Sequence, residues 1–268
     1  MSPSLRRQIL LAARDLVDGT RNWRIWYVLG ISEVKQRYRR STLGPFWVTL
    51  SMTIQIVVMG FVLSFLFKLP LERYLPFLCI SVVTWAFFSG VVNEGANAFI
   101  LMSSAILQVK RPLWTYLMLT LWRNAIVYAH TIVVFVVAAI SFNIVPGAAY
   151  LLIPAGIALL IANVAWIGLA AAILSTRFRD VPLLIQNAFS VLVWLTPVYY
   201  QPEQLGARAR MIIELNPLTS VIEVARAPFL NQTPTLTAWV VAAVLAVFGW
   251  LLCFGLFVRC RARVPFWL

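Results

Sequence analysis

Charge is scarce in this chain, and negative charge is scarcer still. Only 12% of its 268 residues are charged, with nine Asp and Glu against 22 Lys and Arg. A soluble domain carries roughly 25%, so the polar surface that keeps a chain of this size in water is missing. There is one histidine, His130. A proton-driven carrier needs a buried carboxylate or a relay, and a membrane-embedded transferase or hydrolase needs clustered carboxylates or histidines. Here every acidic residue falls outside the long apolar runs or at their ends. His130 either bonds to a backbone carbonyl, the commoner role for a lone intramembrane histidine, or carries protons. Cys79, Cys253 and Cys260 are odd in number and two lie inside apolar runs, which gives no disulfide framework and no metal-ligand spacing. A glycine-rich loop with a Lys-Ser/Thr phosphate cradle is also missing. The chain is therefore not expected to hydrolyse ATP, to be an enzyme, or to hold a metal or cofactor of its own.

What remains is apolar: 62% hydrophobic, with a mean hydropathy of +0.86. A spanning helix needs about 20 mostly apolar residues, and six runs qualify: Phe46–Phe67, Tyr74–Val92, Leu113–Phe142, Ala148–Ser175, Val181–Tyr199 and Thr237–Val258. The fold class expected is an all-α polytopic membrane protein with six transmembrane helices. The N-terminus does not read as a cleavable signal peptide, because the apolar stretch Ile9–Ala13 is short and is followed by Arg14 and Asp15. The run at Phe46 is the expected uncleaved insertion signal. The net charge of +13 sits between the apolar runs, which favours anionic lipid over nucleic acid as its partner. With the N-terminus inside, sixteen Lys and Arg fall on the inner side against five outside, and Arg123 falls within the third run. By the positive-inside rule both termini are then cytoplasmic, in the bacterial inner membrane.

Three segments outside the runs carry pattern. Before the first run, Trp23, Trp26, Tyr27, Ile31, Val34 and Tyr38 recur at helical spacing, with Arg24, Lys35, Arg37, Arg39 and Arg40 among the other positions. An aromatic face against a basic one suits a helix lying at the headgroup level. Two readings stay open for it, a plain anchor or an entrance that attracts a phosphate-bearing lipid. Between the second and third runs, residues 93–112 are apolar, yet a crossing there would invert every later loop. A short amphipathic helix at the surface, stopped by Pro112, is expected; its apolar stretch needs cover from lipid or a partner. Between the fifth and sixth runs, Asn216-Pro217 is a sharp helix start, and Glu223 and Arg226 stand one turn apart, where they can pair. Arg177-Phe178-Arg179-Asp180-Val181-Pro182 reads as an inner stop signal in which Asp180 can cap the fifth span. Arg123 either snorkels to the inner surface or faces a channel.

The order Lys35, Arg37-Tyr38-Arg39, Ser41, Leu43-Gly44-Pro45, Trp47 and the run Asn216-Pro217-Leu218-Thr219 with Glu223, Arg226 and Ala227-Pro228 resemble permeases of polysaccharide and polyol-phosphate ABC exporters. These belong to the type-2 ABC exporter superfamily and include O-antigen and capsule exporters. The resemblance implies residues 1–45 as an interface segment, 46–258 as the membrane domain and 259–268 as a cytoplasmic tail. It implies a coupling helix within 93–112 that docks on the ATPase through Asn97, Phe99, Ile100, Met102, Ser103, Ile106 and Leu107. It further implies an extracytoplasmic re-entrant hairpin at 200–234 marked by Asn216, Pro217, Glu223 and Arg226. Arg24, Lys35, Arg37, Tyr38, Arg39 and Arg40 would form the lipid-pyrophosphate entrance, and Trp85, Phe88, Trp122, Trp194 and Tyr199 would guide the glycan. The implied assembly is a homodimer with two ATPase subunits, which bind the ATP and Mg, and the cargo is a polyprenyl-pyrophosphate-linked polysaccharide. A type-2 permease for a drug or a lipid is the alternative.

Overall fold

The computed structural model describes residues 3–37, 39, 44 and 46–268. Among them the chain is helical, with no strand. Helices α1 (Pro3–Arg21) and α2 (Trp23–Arg37) precede α3 (Phe46–Phe67). Then come α4 (Leu71–Leu101), the six-residue α5 (Ser103–Gln108) and α6 (Leu113–Ser141). A 3-10 turn (Ala148–Leu152) leads into α7 (Ile153–Arg177), followed by α8 (Val181–Leu195), α9 (Ala207–Leu215) and α10 (Pro217–Arg226). The chain closes with α11 (Leu236–Cys260) and α12 (Val264–Trp267).

Among the described residues five helices are long and apolar enough to cross a membrane: α3, α4, α6, α7 with its preceding turn, and α11 running on into α12. The fifth expected run is the exception. Its helix α8 stops at Leu195 after 15 residues, about 22 Å at 1.5 Å per residue, where the hydrocarbon core is about 30 Å thick. The stop is caused by Pro197. Its ring disfavours helical backbone in the residue before it, and Thr196 is extended at φ −111°, ψ 134°.

The second run departs in the other direction. α4 continues past Val92 to Leu101, so nearly half of the segment expected to hold a separate surface helix belongs to the long helix, and α5 (Ser103–Gln108) is what remains of it. Asn93 and Asn97 do not break it, because their side chains turn back to the carbonyls of Ser89 and Asn93, at 2.8 and 3.2 Å. The helix resets only at Met102 (φ −100°, ψ 17°), and α5 ends before Pro112, which stands at the head of α6. Pro154 falls in the first turn of α7, where a missing N–H costs nothing.

α4 is the centre of the bundle and touches α3, α6, α7, α8 and α10. Lipid tails are as apolar as leucine, so helices in a membrane associate through close approach and hydrogen bonds. α4 and α7 meet at Gly95 and Gly168, where a Cβ on Gly95 would lie 3.2 Å from the Gly168 Cα. α7 and α11 are tied by Asn163 Nδ2, which donates to the Ala242 carbonyl at 3.1 Å. α3 is the opposite case. It buries Ile56 and Gly60 and exposes Phe61, Val62, Phe65 and Leu66 along its length.

At Gly156 a Cβ would sit 2.1 Å from the carbonyl oxygen of Val224, so α10 rests directly on the backbone of α7. Gly156→Ala is expected to destabilise the protein by about 1–3 kcal/mol through forced separation of the two helices. Gly255→Ala, where nothing lies within 4 Å, should be neutral or slightly stabilising. Thermal unfolding of both variants in one detergent checks the pair.

Candidate functional site

One charged cluster lies inside the helix bundle. Arg123 on α6 is 13% exposed and reaches three ways. It pairs with Glu33 on α2, and its Nε and Nη2 donate to Glu94 Oε2 on α4 at 3.2 and 2.8 Å. Asn124 Nδ2 donates to the same oxygen at 2.6 Å. The other carboxylate oxygen, Glu94 Oε1, is 3.5 Å from Arg37 Nη2 at the end of α2. Two cations and two carboxylates thus balance, and each charge at this depth has a partner. Both sequence readings of Arg123 give way: it neither snorkels freely nor faces a channel, but binds α2 to α4 and α6.

The aromatic stripe of α2 takes part in the same packing. Trp26 and Tyr27 meet Trp122 of α6 at centroid distances of 5.9 and 5.2 Å, and Gly30 leaves room for that indole. This face lies partly against protein through Trp26, Gly30 and Val34, with Trp23, Tyr27, Val28 and Leu29 left exposed. Arg24, Lys35, Arg37 and Arg39 are exposed along the helix and just after it. Tyr38, Arg40, Ser41, Leu43 and Pro45 lie outside the described residues.

α1 carries no residue-level expectation within the 1–45 interface segment, yet it is docked. Ala12, Asp15 and Gly19 form its buried edge. Asp15 Oδ1 accepts from the Trp114 backbone N–H at 3.0 Å, and Arg261 Nε donates to Oδ2 at 2.6 Å. One carboxylate therefore caps the start of α6, which Pro112 leaves without a side-chain cap, and joins it to the residues after α11. The signal in the sequence was Asp15 recurring with Ala12 and Gly19 at helical spacing, read instead as the end of a short apolar stretch.

The expected coupling residues are divided by this geometry. Phe99 is fully buried in the core and Ile106 is buried as well. Asn97 is spent on α4 itself. Ile100, Met102 and Ser103 are half-buried. The exposed apolar tip is Leu101 and Leu107, with Val109 beyond. Phe99 is thus corrected to a packing residue, because α4 continues through it and turns it inward. Asp180 likewise stands at the head of α8 without a side-chain capping bond.

At the opposite end of the bundle, α10 is packed among α4, α7 and α11. Asn216 Oδ1 accepts from the Leu218 N–H at 3.0 Å, and its Nδ2 donates to the Leu195 carbonyl at 3.1 Å. One side chain starts α10 and satisfies the broken end of α8. Arg226 is 7% exposed. Its Nη1 donates to Ser81 Oγ at 3.0 Å and to the Pro197 carbonyl, and the guanidinium lies 4.5 Å over the Phe77 ring. Tyr74 Oη donates to the Tyr199 carbonyl. α4 therefore holds the unwound stretch after α8 directly at the Tyr199 carbonyl, and at the Pro197 carbonyl through Arg226 of α10. Glu223 and Arg226 do not pair as expected: Glu223 Oε1 accepts from the Thr235 N–H and Oγ1 at 3.0 and 3.2 Å, which anchors the start of α11.

The aromatic positions separate too. Trp85 and Phe88 are buried between α4 and α8, with Phe189 5.7 and 5.8 Å from them, and Trp122 is taken by α2. These three are packing residues, because α4 is central and α6 carries α2. Trp194 is 59% exposed and sits 5.2 Å from Tyr199. It belongs to a stripe on α8 that sequence reasoning passed over. Leu183, Gln186, Asn187, Ser190 and Trp194 recur at helical spacing and are all exposed, while Phe189 and Val193 point inward. His130 Nδ1 lies 2.8 Å from the Ile126 carbonyl. Among the described residues no group of His, Cys, Asp and Glu is placed to hold a metal ion.

Comparison with known proteins matches residues 25–230 to a family described as ABC-2 type transporter. An O-antigen export system permease protein RfbA of Klebsiella pneumoniae is 23% identical over 210 residues, 77% of this chain and 80% of that protein. The protein of the same description from Myxococcus xanthus is 24% identical over 200 residues, 74% of this chain and 76% of its own length.

Removing Arg123 alone leaves Glu33 without its ion pair and Glu94 with only Asn124 and the more distant Arg37. Arg123→Met is expected to cost on the order of 2 kcal/mol, less than a fully buried pair would lose because Glu33 and Glu94 are partly exposed. The triple change Arg123→Met, Glu33→Gln, Glu94→Gln should recover most of that loss. Unfolding midpoints of the single and triple variants in detergent provide the check.

Proposed function

The chain belongs to the ABC-2 type transporter family, and on that premise we propose that it is the membrane subunit of an exporter driven by a separate ATPase. Its cargo is a polysaccharide on a polyprenyl-pyrophosphate carrier, such as an O-antigen or a capsule, moved across the bacterial inner membrane. Both termini are cytoplasmic, α8 with the following hairpin serves as the sixth crossing, and two copies of the chain frame one path between them. The relatives described as O-antigen export permeases support the cargo class.

The observation that carries this reading is the face of α8. Gln186 and Asn187 are exposed together on an apolar helix beside Ser190, whose hydroxyl donates to the Asn187 carbonyl at 2.6 Å, and Trp194 ends the same stripe. Amide and hydroxyl groups facing lipid are costly unless they pair or face water. A path shared with a second copy supplies both conditions. Sugars hydrogen-bond to amides and stack their C–H faces on indole. An apolar drug or a lipid tail could pack on Leu183 and Trp194 but would gain nothing from the amides between them.

The remaining parts take roles from their places. Arg24, Lys35, Arg37 and Arg39 form a basic approach beside α2 that attracts the pyrophosphate by charge, and Arg37 is the outermost member of the cluster around Glu94. Leu101 and Leu107 present an apolar tip for a cleft in the ATPase. α4 joins that tip to the clasp at Ser81 and Tyr74. Displacement of its cytoplasmic end by ATP-driven closure is thereby delivered to the Pro197 and Tyr199 carbonyls, which moves the outer hairpin. The ATP and Mg belong to the partner.

Deleting the gene is expected to abolish surface polysaccharide and to accumulate the lipid-linked glycan in the inner leaflet, read by leaflet-specific labelling and sugar analysis. Unchanged surface glycan without a stalled intermediate would sink the reading. Gln186→Leu with Asn187→Leu should lower export about tenfold or more, the cost of one or two lost hydrogen bonds along the path, with membrane assembly intact.

A further inference from the structure

A cavity of about 600 Å³ lies between α10, the start of α11 and the turn at Gln201–Glu203. It adjoins the unwound stretch after α8 through Pro197. None of the export roles above uses it. Its walls contain two cations, Arg210 and Arg226, and three carboxylates, Glu203, Glu214 and Glu223, a net charge of −1. Most of this charge is already engaged. Arg210 is paired with Glu214 at 2.7 Å, Glu223 holds the start of α11, and Arg226 donates to Ser81 and Pro197.

The rest of the wall is mixed: oxygen and amide groups stand beside the apolar surfaces of Phe77, Pro202, Ala227 and Ala238. Gln201, Gln232 and Glu203 make no side-chain hydrogen bond among the described residues, Glu203 being drawn only by charge toward Arg210 and Arg226, and Ser220 and Thr233 add hydroxyls. This set excludes two ligand classes. A phosphate or carboxylate would meet an excess of negative charge with no free cation. A hydrocarbon would strand the amides and the carboxylate, each costly when desolvated without a partner. A neutral ligand with many adjacent hydroxyls fits: each hydroxyl both donates and accepts, so one can give to Glu203 while its neighbour accepts from a glutamine amide. The volume lies in the range of small-ligand sites.

We propose that this cavity is a saccharide-binding site that holds neutral sugar residues beside the break in α8. Its existence is a property of this chain alone; only the statement that the exported polymer occupies it rests on the export reading. The site retains the emerging chain between strokes, so that polymer does not slip back while the ATPase resets.

The test uses the full-length protein with its ATPase subunits, in a detergent without a sugar headgroup. Calorimetric titration with free trisaccharides of mannose, of N-acetylglucosamine and of glucuronic acid, and with inorganic phosphate, should show binding of at least one neutral trisaccharide and neither anion. Glu203→Ala should weaken it about tenfold. Ser220→Phe, which fills the space, should abolish it, while Ser220→Ala retains it. Binding of none of the neutral sugars, binding of the anions instead, or binding indifferent to Ser220→Phe overturns the site. If the deletion strain loses surface glycan but the Ser220→Phe strain exports like wild type, the retention role fails and the export reading stands. If sugar binds as expected but the deletion strain keeps its surface glycan, the export reading fails and the site stands.

Discussion

The structure depends on how α4 satisfies charges and broken backbone near both of its ends. Toward the α5 end, Glu94 accepts from Arg123 and Asn124 of α6 and stands beside Arg37, while Arg123 also holds Glu33, so α2 is bound through a second residue. Toward the other end, Ser81, Phe77 and Tyr74 hold Arg226 and the carbonyl of Tyr199, and Arg226 in turn holds the carbonyl of Pro197. Neither arrangement survives in hydrocarbon without its partners, because an uncompensated guanidinium or carbonyl there costs several kcal/mol. A single buried helix thus fixes the position of the basic approach and of the outer hairpin.

The rest of the bundle shows which surfaces remain unfinished. α3 buries little beyond Ile56 and Gly60, and its apolar surface suits lipid. α8 carries the amides of Gln186 and Asn187 on its exposed side, which lipid cannot satisfy. The difference between those two faces, more than the number of crossings, supports a path formed by two copies. It also gives a reason for the shortness of α8: the helix ends where Pro197 frees carbonyls that α4, α10 and Asn216 collect.

Much of the architecture was legible because its signals are local. The run Phe46–Phe67 reappears as α3 with the same limits, and the Asn216-Pro217 helix start is seen in its side-chain bonds. The misreadings share a physical cause. Asn93 and Glu94 look like the end of a span, but asparagine can bond within its own helix and glutamate can be neutralised by an arginine 29 residues away. Glu223 and Arg226 have the spacing of a pair, yet each finds a better-placed partner across the fold. Trp85 and Phe88 could not be told from path-lining aromatics without knowing that α4 is central. The α8 stripe was there in the spacing of Gln186, Asn187, Ser190 and Trp194, hidden by the apolar character of the run.

The central claim is that the Arg226 clasp passes motion of α4 to the outer hairpin. The most direct measurement compares ATP hydrolysis with glycan export by the reconstituted complex carrying Arg226→Met, which keeps much of the side-chain bulk and removes the donor. The account predicts hydrolysis near the wild-type rate with export reduced severalfold or more, an uncoupled machine. Export that keeps pace with hydrolysis in that variant would contradict it.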